Sequence, residues 1–209
     1  MRRLRRRYYD LFSKIYDRVI ALHSKDRAGE LRGFLSDQVE NPQKRPLLDI
    51  CTGTGAVASR LRMDHGVTVA GLDFSWGMLL KARAKDPGVC WVLGSVTHMP
   101  FKDASFGCVT CSHAFYELKG QEPFWTLGEA KRVLAKGGSF LMMEHEVPEH
   151  PIIRSLYYIR LLALGSLNAA KMRSREEAVF GRFFCKVKRV SSPTKRSTLV
   201  MATKGEKDA

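Results

Sequence analysis

Between residues 47 and 144, short apolar runs alternate with segments of helical spacing, and this pattern narrows the fold more than any other feature of the chain. Leu47 to Cys51, Val67 to Asp73, Val89 to Leu93, Cys108 to Ser112 and Ser139 to Glu144 are apolar runs of strand length. Ala56 to Asp64, Met78 to Lys85 and Glu122 to Leu134 lie between them and read as helices. Strands that alternate with helices connect by right-handed crossovers into a parallel sheet with helices on both faces. Phe183 to Val190 and Thr198 to Thr203, joined by Ser-Ser-Pro-Thr-Lys-Arg, read instead as two strands of an antiparallel hairpin. The expectation is a doubly wound α/β fold: a seven-stranded, mostly parallel sheet ending in an antiparallel hairpin.

The flanks are helical. Tyr8, Leu11, Phe12, Ile15, Val19 and Leu22 recur at the spacing of an amphipathic helix, a second short helix falls near Gly29 to Phe34, and Asn41-Pro-Gln-Lys-Arg-Pro46 ends the pattern. Ile152 to Lys171 reads as a mostly apolar helix, but Arg154 and Arg160 interrupt it and exclude a membrane span. A chain of 209 residues suits one domain. Its parts are a basic tail (1–7), N-terminal capping helices (8–45), a ligand-binding core (46–147), and a lid helix with the hairpin (148–203), followed by a frayed end from Lys204.

Lys and Arg number 35 against 21 Asp and Glu, a net charge of +14, to which Arg2, Arg3, Arg5, Arg6 and Arg7 contribute five. Such a field draws anions of any kind, including nucleic acid and anionic lipid, and does not choose among them. Cysteines 51, 90, 108, 111 and 185 are odd in number and scattered, which suits a reducing compartment. Cys108 and Cys111 form a CxxC, yet on a strand that spacing sends the thiols to opposite faces. With no apolar stretch behind the basic N-terminus there is no secretory signal, so a cytoplasmic protein is expected, or one held at a membrane periphery through Arg2 to Arg7.

In a doubly wound sheet the ligand sits at the carboxyl ends of the strands, closest to the first strand-to-helix turn. That turn is Asp49-Ile-Cys-Thr-Gly53-Thr-Gly55. Its glycines permit a sharp bend and leave no side chain between backbone and ligand. Asp73 ends the second strand, where a carboxylate can accept both ribose hydroxyls, and Phe74 and Met78 follow where they could flank an adenine. Gly53-x-Gly55-x-x-Ala58 with Asp73 also fits a dinucleotide fingerprint. Asp49 places a negative charge at the turn, which suits a sulfonium and an amino group better than a diphosphate, so S-adenosylmethionine (SAM) is favoured.

These segments resemble class I SAM-dependent methyltransferases, a Rossmann-like family, and within it the ubiquinone and menaquinone biosynthesis C-methyltransferases. The likeness rests on Tyr8 to Asp17, Leu48 to Gly55, Gly71 to Met78, Met99 to Phe106 and Glu129 to Gly138, which co-occur in order over roughly residues 8 to 147. The resemblance implies that the glycine loop holds the methionine moiety, Asp73 the ribose and the segment after the third strand the adenine. The cofactor-binding set it implies is Tyr8, Asp49, Cys51, Thr52, Gly53, Gly55, Asp73, Phe74, Met78, Gly94, Ser95, Val96 and Ser112. Two positions depart from the family: Ser95-Val96 stands where an Asp-Ala pair is usual, and Gly107 where Asp is usual. A serine hydroxyl accepts the adenine amino bond less strongly than a carboxylate does.

Methyl transfer from a sulfonium needs an aligned nucleophile, because the leaving group departs neutral. Carbon and oxygen nucleophiles also want a base. Residues past the fourth strand face the methyl group in this family, which points to His113, Tyr116 and Glu117 as catalytic candidates. The plainer account makes His113 a satisfied core histidine and Glu117 a surface carboxylate. Glu144-His-Glu146 is a second cluster, and its alternation along a strand end argues against a metal site. Tyr8, Tyr9 and Tyr16 could close over the cofactor, and Tyr157, Tyr158 and Leu161 belong to the lid. The resemblance implies methyl transfer to a small apolar or aromatic acceptor of quinone-precursor type. The alternatives are an RNA- or ribosome-directed methyltransferase, suggested by the charge, and a SAM-binding protein without catalysis.

Overall fold

The computed structural model describes residues 29–40, 44–146, 151, 154–155, 159, 175–195 and 197–205. Expectations for the arginine tail, Tyr8, Tyr9, Tyr16 and most of the lid, including Tyr157, Tyr158 and Leu161, lie outside them.

In chain order the elements are α1 (Glu30–Asp37), β1 (Leu47–Ile50), α2 (Ala56–His65), β2 (Val69–Asp73), α3 (Trp76–Lys85), β3 (Cys90–Leu93), β4 (Phe106–Ser112), a single 3-10 turn (Phe115–Glu117), α4 (Glu122–Val133), β5 (Leu134–His145), α5 (Glu176–Phe180), β6 (Lys186–Ser191) and β7 (Ser197–Thr203). The strands form one sheet in the order β3-β2-β1-β4-β5-β7-β6. Pairings from β3 through β5 are parallel, and β7 runs antiparallel to both β5 and β6, as the hairpin pattern predicted. The chain reverses its direction of winding between β1 and β4, so the crevice of an open α/β sheet falls at their carboxyl ends.

Each face of the sheet buries its own core. Leu48, Ile50, Leu72, Val109, Phe140 and Met142 point to one side, where Phe115, Phe180 and Phe184 pack on them. Leu47, Val69, Leu141 and Met143 point to the other, under α1 and α2 through Leu35, Val57 and Leu61. Every residue of β1 and β2 is buried, as strands covered on both faces must be. Cys108 belongs to the second core and Cys111 to the first, so the CxxC thiols do lie on opposite faces.

Two elements differ from the sequence pattern. β5 begins at Leu134, five residues before Ser139, because the ladder with β4 jumps from Phe106–Leu134 to Cys108–Ser139. Gly137, at φ 73, sits in that irregularity. A Cβ on Gly138 would stand 2.8 Å from the Gly107 carbonyl, so the bulge needs glycine there. The short α5 was not legible, its polar Glu-Glu start giving no helical stripe. Among the described residues no helix is long and apolar enough to cross a membrane.

Candidate active site

β1 delivers Asp49 to the carboxyl end of the sheet, 1% exposed. Thr52 donates its hydroxyl to Asp49 Oδ2 at 2.5 Å and Thr110 donates to Oδ1 at 2.7 Å. Thr110 stands beside Asp49 because β1 and β4 pair there in register. Burial raises the Asp49 carboxyl to about 6, against the hydroxyl donors that lower it, and the nearby Asp73 raises it further. The chain then turns through two left-handed residues, Cys51 at φ 53 and Gly53 at φ 55, before Gly55, at φ 81, caps α2.

The glycines do different work. A side chain at Gly53 would meet nothing within 4 Å, so this stretch of loop is open to a ligand. One at Gly55 would run into the Trp91 ring, as would one at Gly71. Trp91, anchored by its indole N–H to the Asp86 carbonyl at 2.9 Å, therefore fixes the loop from below. Gly94 likewise is a packing requirement, with Leu72 Cδ1 2.8 Å from where its Cβ would be.

Asp73 joins the second strand to the loop. Its Oδ2 accepts from the Gly53 N–H and its Oδ1 from the Ser75 N–H, both at 2.8 Å. Ser75 in turn caps α3 by accepting from the Met78 N–H at 3.3 Å. Phe74 is partly buried, whereas Met78 is sunk in the core. After β3, the Ser95 hydroxyl is held within 2.9 Å of the Thr97 hydroxyl and accepts from the Thr97 N–H at 3.3 Å, which makes it part of its own turn. Val96 is buried in the first core.

The catalytic candidates occupy two faces. His113 is a left-handed residue at φ 54 whose N–H bonds the Met143 carbonyl at 2.7 Å. Its ring nitrogens meet Ser112 Oγ at 2.9 Å and Ser197 Oγ at 3.2 Å, and its ring lies 4.0 Å from that of His145. Burial, aided by His145, pushes His113 down to about 3, so it is a neutral imidazole at physiological pH. Glu144 and His145 are neighbours on β5 and point to opposite faces. Glu144 Oε1 accepts from the Phe115 N–H at 2.8 Å and the Tyr116 N–H at 3.3 Å, tying down the 3-10 turn. Tyr116 is buried with the first core, and its hydroxyl has no hydrogen-bond partner among the described residues. Glu117 is exposed. His113 thus lies against His145, the rings tilted by 33°, on one side of β5, and Tyr116 sits with Glu144 on the other.

Sequence reasoning missed three partners: Thr110, Glu144 as the buried acceptor under the turn, and the pair Glu129–Arg132. Glu129 accepts from the Met99 N–H, and Arg132 donates to the Met99 and Phe101 carbonyls at 3.0 and 2.7 Å and to Asp103 at 2.7 Å. Those two α4 side chains clamp the loop that follows Ser95. A polar residue inside an apolar strand was the available signal for Thr110.

The residues present fit SAM. A buried carboxylate raised by desolvation gains from a cation, Asp73 closes the second strand against the loop, and a Gly53 side chain would meet nothing within 4 Å.

Known proteins point the same way. Residues 48–142 match the family model described as "Methyltransferase domain". The demethylmenaquinone methyltransferase of Thermus thermophilus is 32% identical over 168 residues, 76% of this chain and 72% of that protein. That of Paenarthrobacter aurescens is 31% identical over 170 residues, 81% of this chain and 66% of that protein. The match to the demethylmenaquinone methyltransferase of Chlorobaculum parvum spans 50% of its length. Among solved structures, a SAM-dependent methyltransferase from Aquifex aeolicus superposes with a TM-score of 0.66 at 18% identity, over 90% of this chain and 97% of that one, which speaks to the fold. With the glycine loop, the paired carboxylates and the sheet order already in place, these matches make the chain a member of the class I SAM-dependent methyltransferase family.

Proposed function

We propose that this chain methylates a small apolar or aromatic acceptor, of the quinone-precursor type that its relatives' names indicate. The observation that carries the reading is the pair of buried carboxylates at the glycine loop, Asp49 bonded by Thr52 and Asp73 by the Gly53 N–H, beside the open face of Gly53. In this reading Asp49, Cys51, Thr52, Gly53 and Gly55 receive the methionine end, and Asp73 the ribose. Phe74, Gly94 and Ser95 bound the adenine, with Met78 and Val96 backing them from the core and Ser112 and Tyr8 proposed to complete the site. The domain is one unit in which 8–45 and 148–203 flank the core at 46–147.

When bound, SAM supplies an electrophilic methyl group on a sulfonium whose thioether departs neutral. The acceptor then needs alignment and, for carbon or oxygen, loss of a proton. Tyr116 offers a buried hydroxyl that can hold a ring oxygen. His113, neutral at physiological pH, acts by position, through its contact with His145 and its serine contacts. Glu117, an exposed carboxylate, is the residue proposed to take up that proton.

Calorimetric titration with SAM, followed by incubation with methyl-labelled SAM and either a demethylated naphthoquinol or RNA, tests the proposal. Binding and label in the quinol are expected. Label in RNA alone favours a nucleic-acid acceptor, binding without transfer favours a sensor, and no binding at millimolar SAM removes the reading.

A further inference from the structure

We propose that Cys51 and Cys111 form a reversible disulfide that shuts the cofactor loop, an inference whose functional half rests on reading residues 49–55 as the SAM site.

β1 and β4 pair in parallel with Ile50 beside Cys111, so Cys51 is one residue beyond that rung. Strands lie about 4.8 Å apart and rise about 3.3 Å per residue, which places the two Cα atoms roughly 6 Å apart. That lies within the span a disulfide bridges, about 4.4 to 6.8 Å. Regular alternation would send the Cys51 side chain to the face opposite Ile50 and Cys111. The left-handed turn at Cys51, φ 53, reverses this, and Cys51 packs against the core that contains Cys111. A residue with a Cβ adopts that conformation at a cost of about 1 to 2 kcal/mol. Cys51 is also the largest single influence on the Cys111 thiol, as a neighbouring sulfur would be. No other pair of the five cysteines shares this arrangement: Cys108 is on the far face, Cys90 is exposed at the start of β3, and Cys185 is exposed just before β6.

The two thiols are also unequal. Cys51 is partly exposed at the loop, and Cys111 is buried. The contact with Cys51, together with burial, pushes the Cys111 thiol well up, so it stays protonated and acts second. The oxidant is a peroxide. The Cys51 thiolate attacks one peroxide oxygen, an S–O bond forms as O–O breaks, and the departing hydroxide takes up a proton to leave as water. Cys111 then gives up its proton as its sulfur attacks the Cys51 sulfur, S–S forms as S–O breaks, and a second water leaves. Two thiols lose two electrons and one peroxide gains them. The link fixes Cys51 at a new side-chain angle and pulls on Thr52 and Gly53, whose hydroxyl and N–H hold Asp49 and Asp73.

The full chain, freed of reductant and treated with hydrogen peroxide, is alkylated, digested without reduction and mapped by mass spectrometry. The expected product is a linked pair of peptides carrying Cys51 and Cys111, lost on adding dithiothreitol. In the same samples, SAM affinity by calorimetry falls at least tenfold on oxidation and returns on reduction. Cys111→Ala, and Cys111→Val should alanine leave too large a cavity, are each compared with their own untreated form, and that ratio stays near one. Separate alkylation of Cys51 and Cys111 after peroxide overturns the proposal, as does a linked pair with undiminished SAM affinity. A reduced protein that does not bind SAM overturns the cofactor reading alone, because the linked peptide decides the disulfide by itself.

Discussion

Asp49 shows how a single residue can be set against the fold that carries it. Its carboxyl is raised from 3.8 to about 6, chiefly by burial. A group that binds its proton more tightly when folded stabilises the native state below the unfolded value, and that contribution is lost as pH rises through the folded one. The ionised carboxylate therefore costs the cofactor-free protein about 3 kcal/mol at pH 7 relative to the acid limit. In the proposed site, a bound sulfonium and ammonium would offset that cost and tie SAM affinity to ionisation of Asp49. Affinity measured calorimetrically from pH 8 to 5 is expected to hold above about 6 and then to fall by about tenfold per unit. A flat profile would show that Asp49 does not face the cofactor. Asp49→Asn is expected to lose SAM binding while raising the melting temperature of the free protein at pH 7, because asparagine places no charge between Thr52 and Thr110.

At the scale of elements, the clamp from α4 explains why two separated stretches of sequence belong together. Arg132 spans the Met99 and Phe101 carbonyls, Asp103 and Glu129, so the loop between β3 and β4 is held as a unit beside the residues proposed to bound the adenine. Arg132→Ala is expected to cost about 2 kcal/mol in urea unfolding, with faster proteolysis within residues 95–105. Arg132→Lys recovers little, since one ammonium cannot reach four partners held by a planar fork. β1, β2 and β4 were legible because burial on both faces makes them continuous apolar runs, and the more exposed edge strand β3 because Cys90 to Leu93 still forms a short apolar run. The start of β5 was not, because Lys136-Gly-Gly138 reads as a turn and becomes a bulge only against Gly107. Asp49, Gly53 and Asp73 were legible through their places at strand ends. Thr110 and Glu144 were not, because they meet their partners across 61 and 29 residues. His113, Tyr116 and Glu117 read as one cluster within five residues, yet the left-handed turn at His113 and the alternation of β5 send them different ways.

For the whole molecule, the net charge of +14 opposes the cofactor that the site is shaped to hold. SAM carries a sulfonium, an ammonium and a carboxylate, a net positive charge, so the overall field repels it. In the proposed site the local field of Asp49 and Asp73 attracts it. Salt separates these terms, because charges farther apart than the Debye length, about 10 Å at 0.1 M, are largely screened while buried neighbours are screened much less. Raising salt from about 0.01 to 0.15 M removes most of the distant repulsion and little of the near attraction. SAM affinity is therefore expected to hold or rise modestly over that range. Association with RNA, which uses the distant charges by releasing counterions, falls steeply over the same range. Parallel titrations of SAM and of an unstructured RNA across those salts check both slopes. If SAM binding weakened as steeply as RNA binding, exposed charges rather than the buried carboxylates would be holding the cofactor. If RNA binding resisted salt and stimulated methyl transfer, the basic surface would belong to substrate recognition, and the acceptor would be sought among nucleic acids.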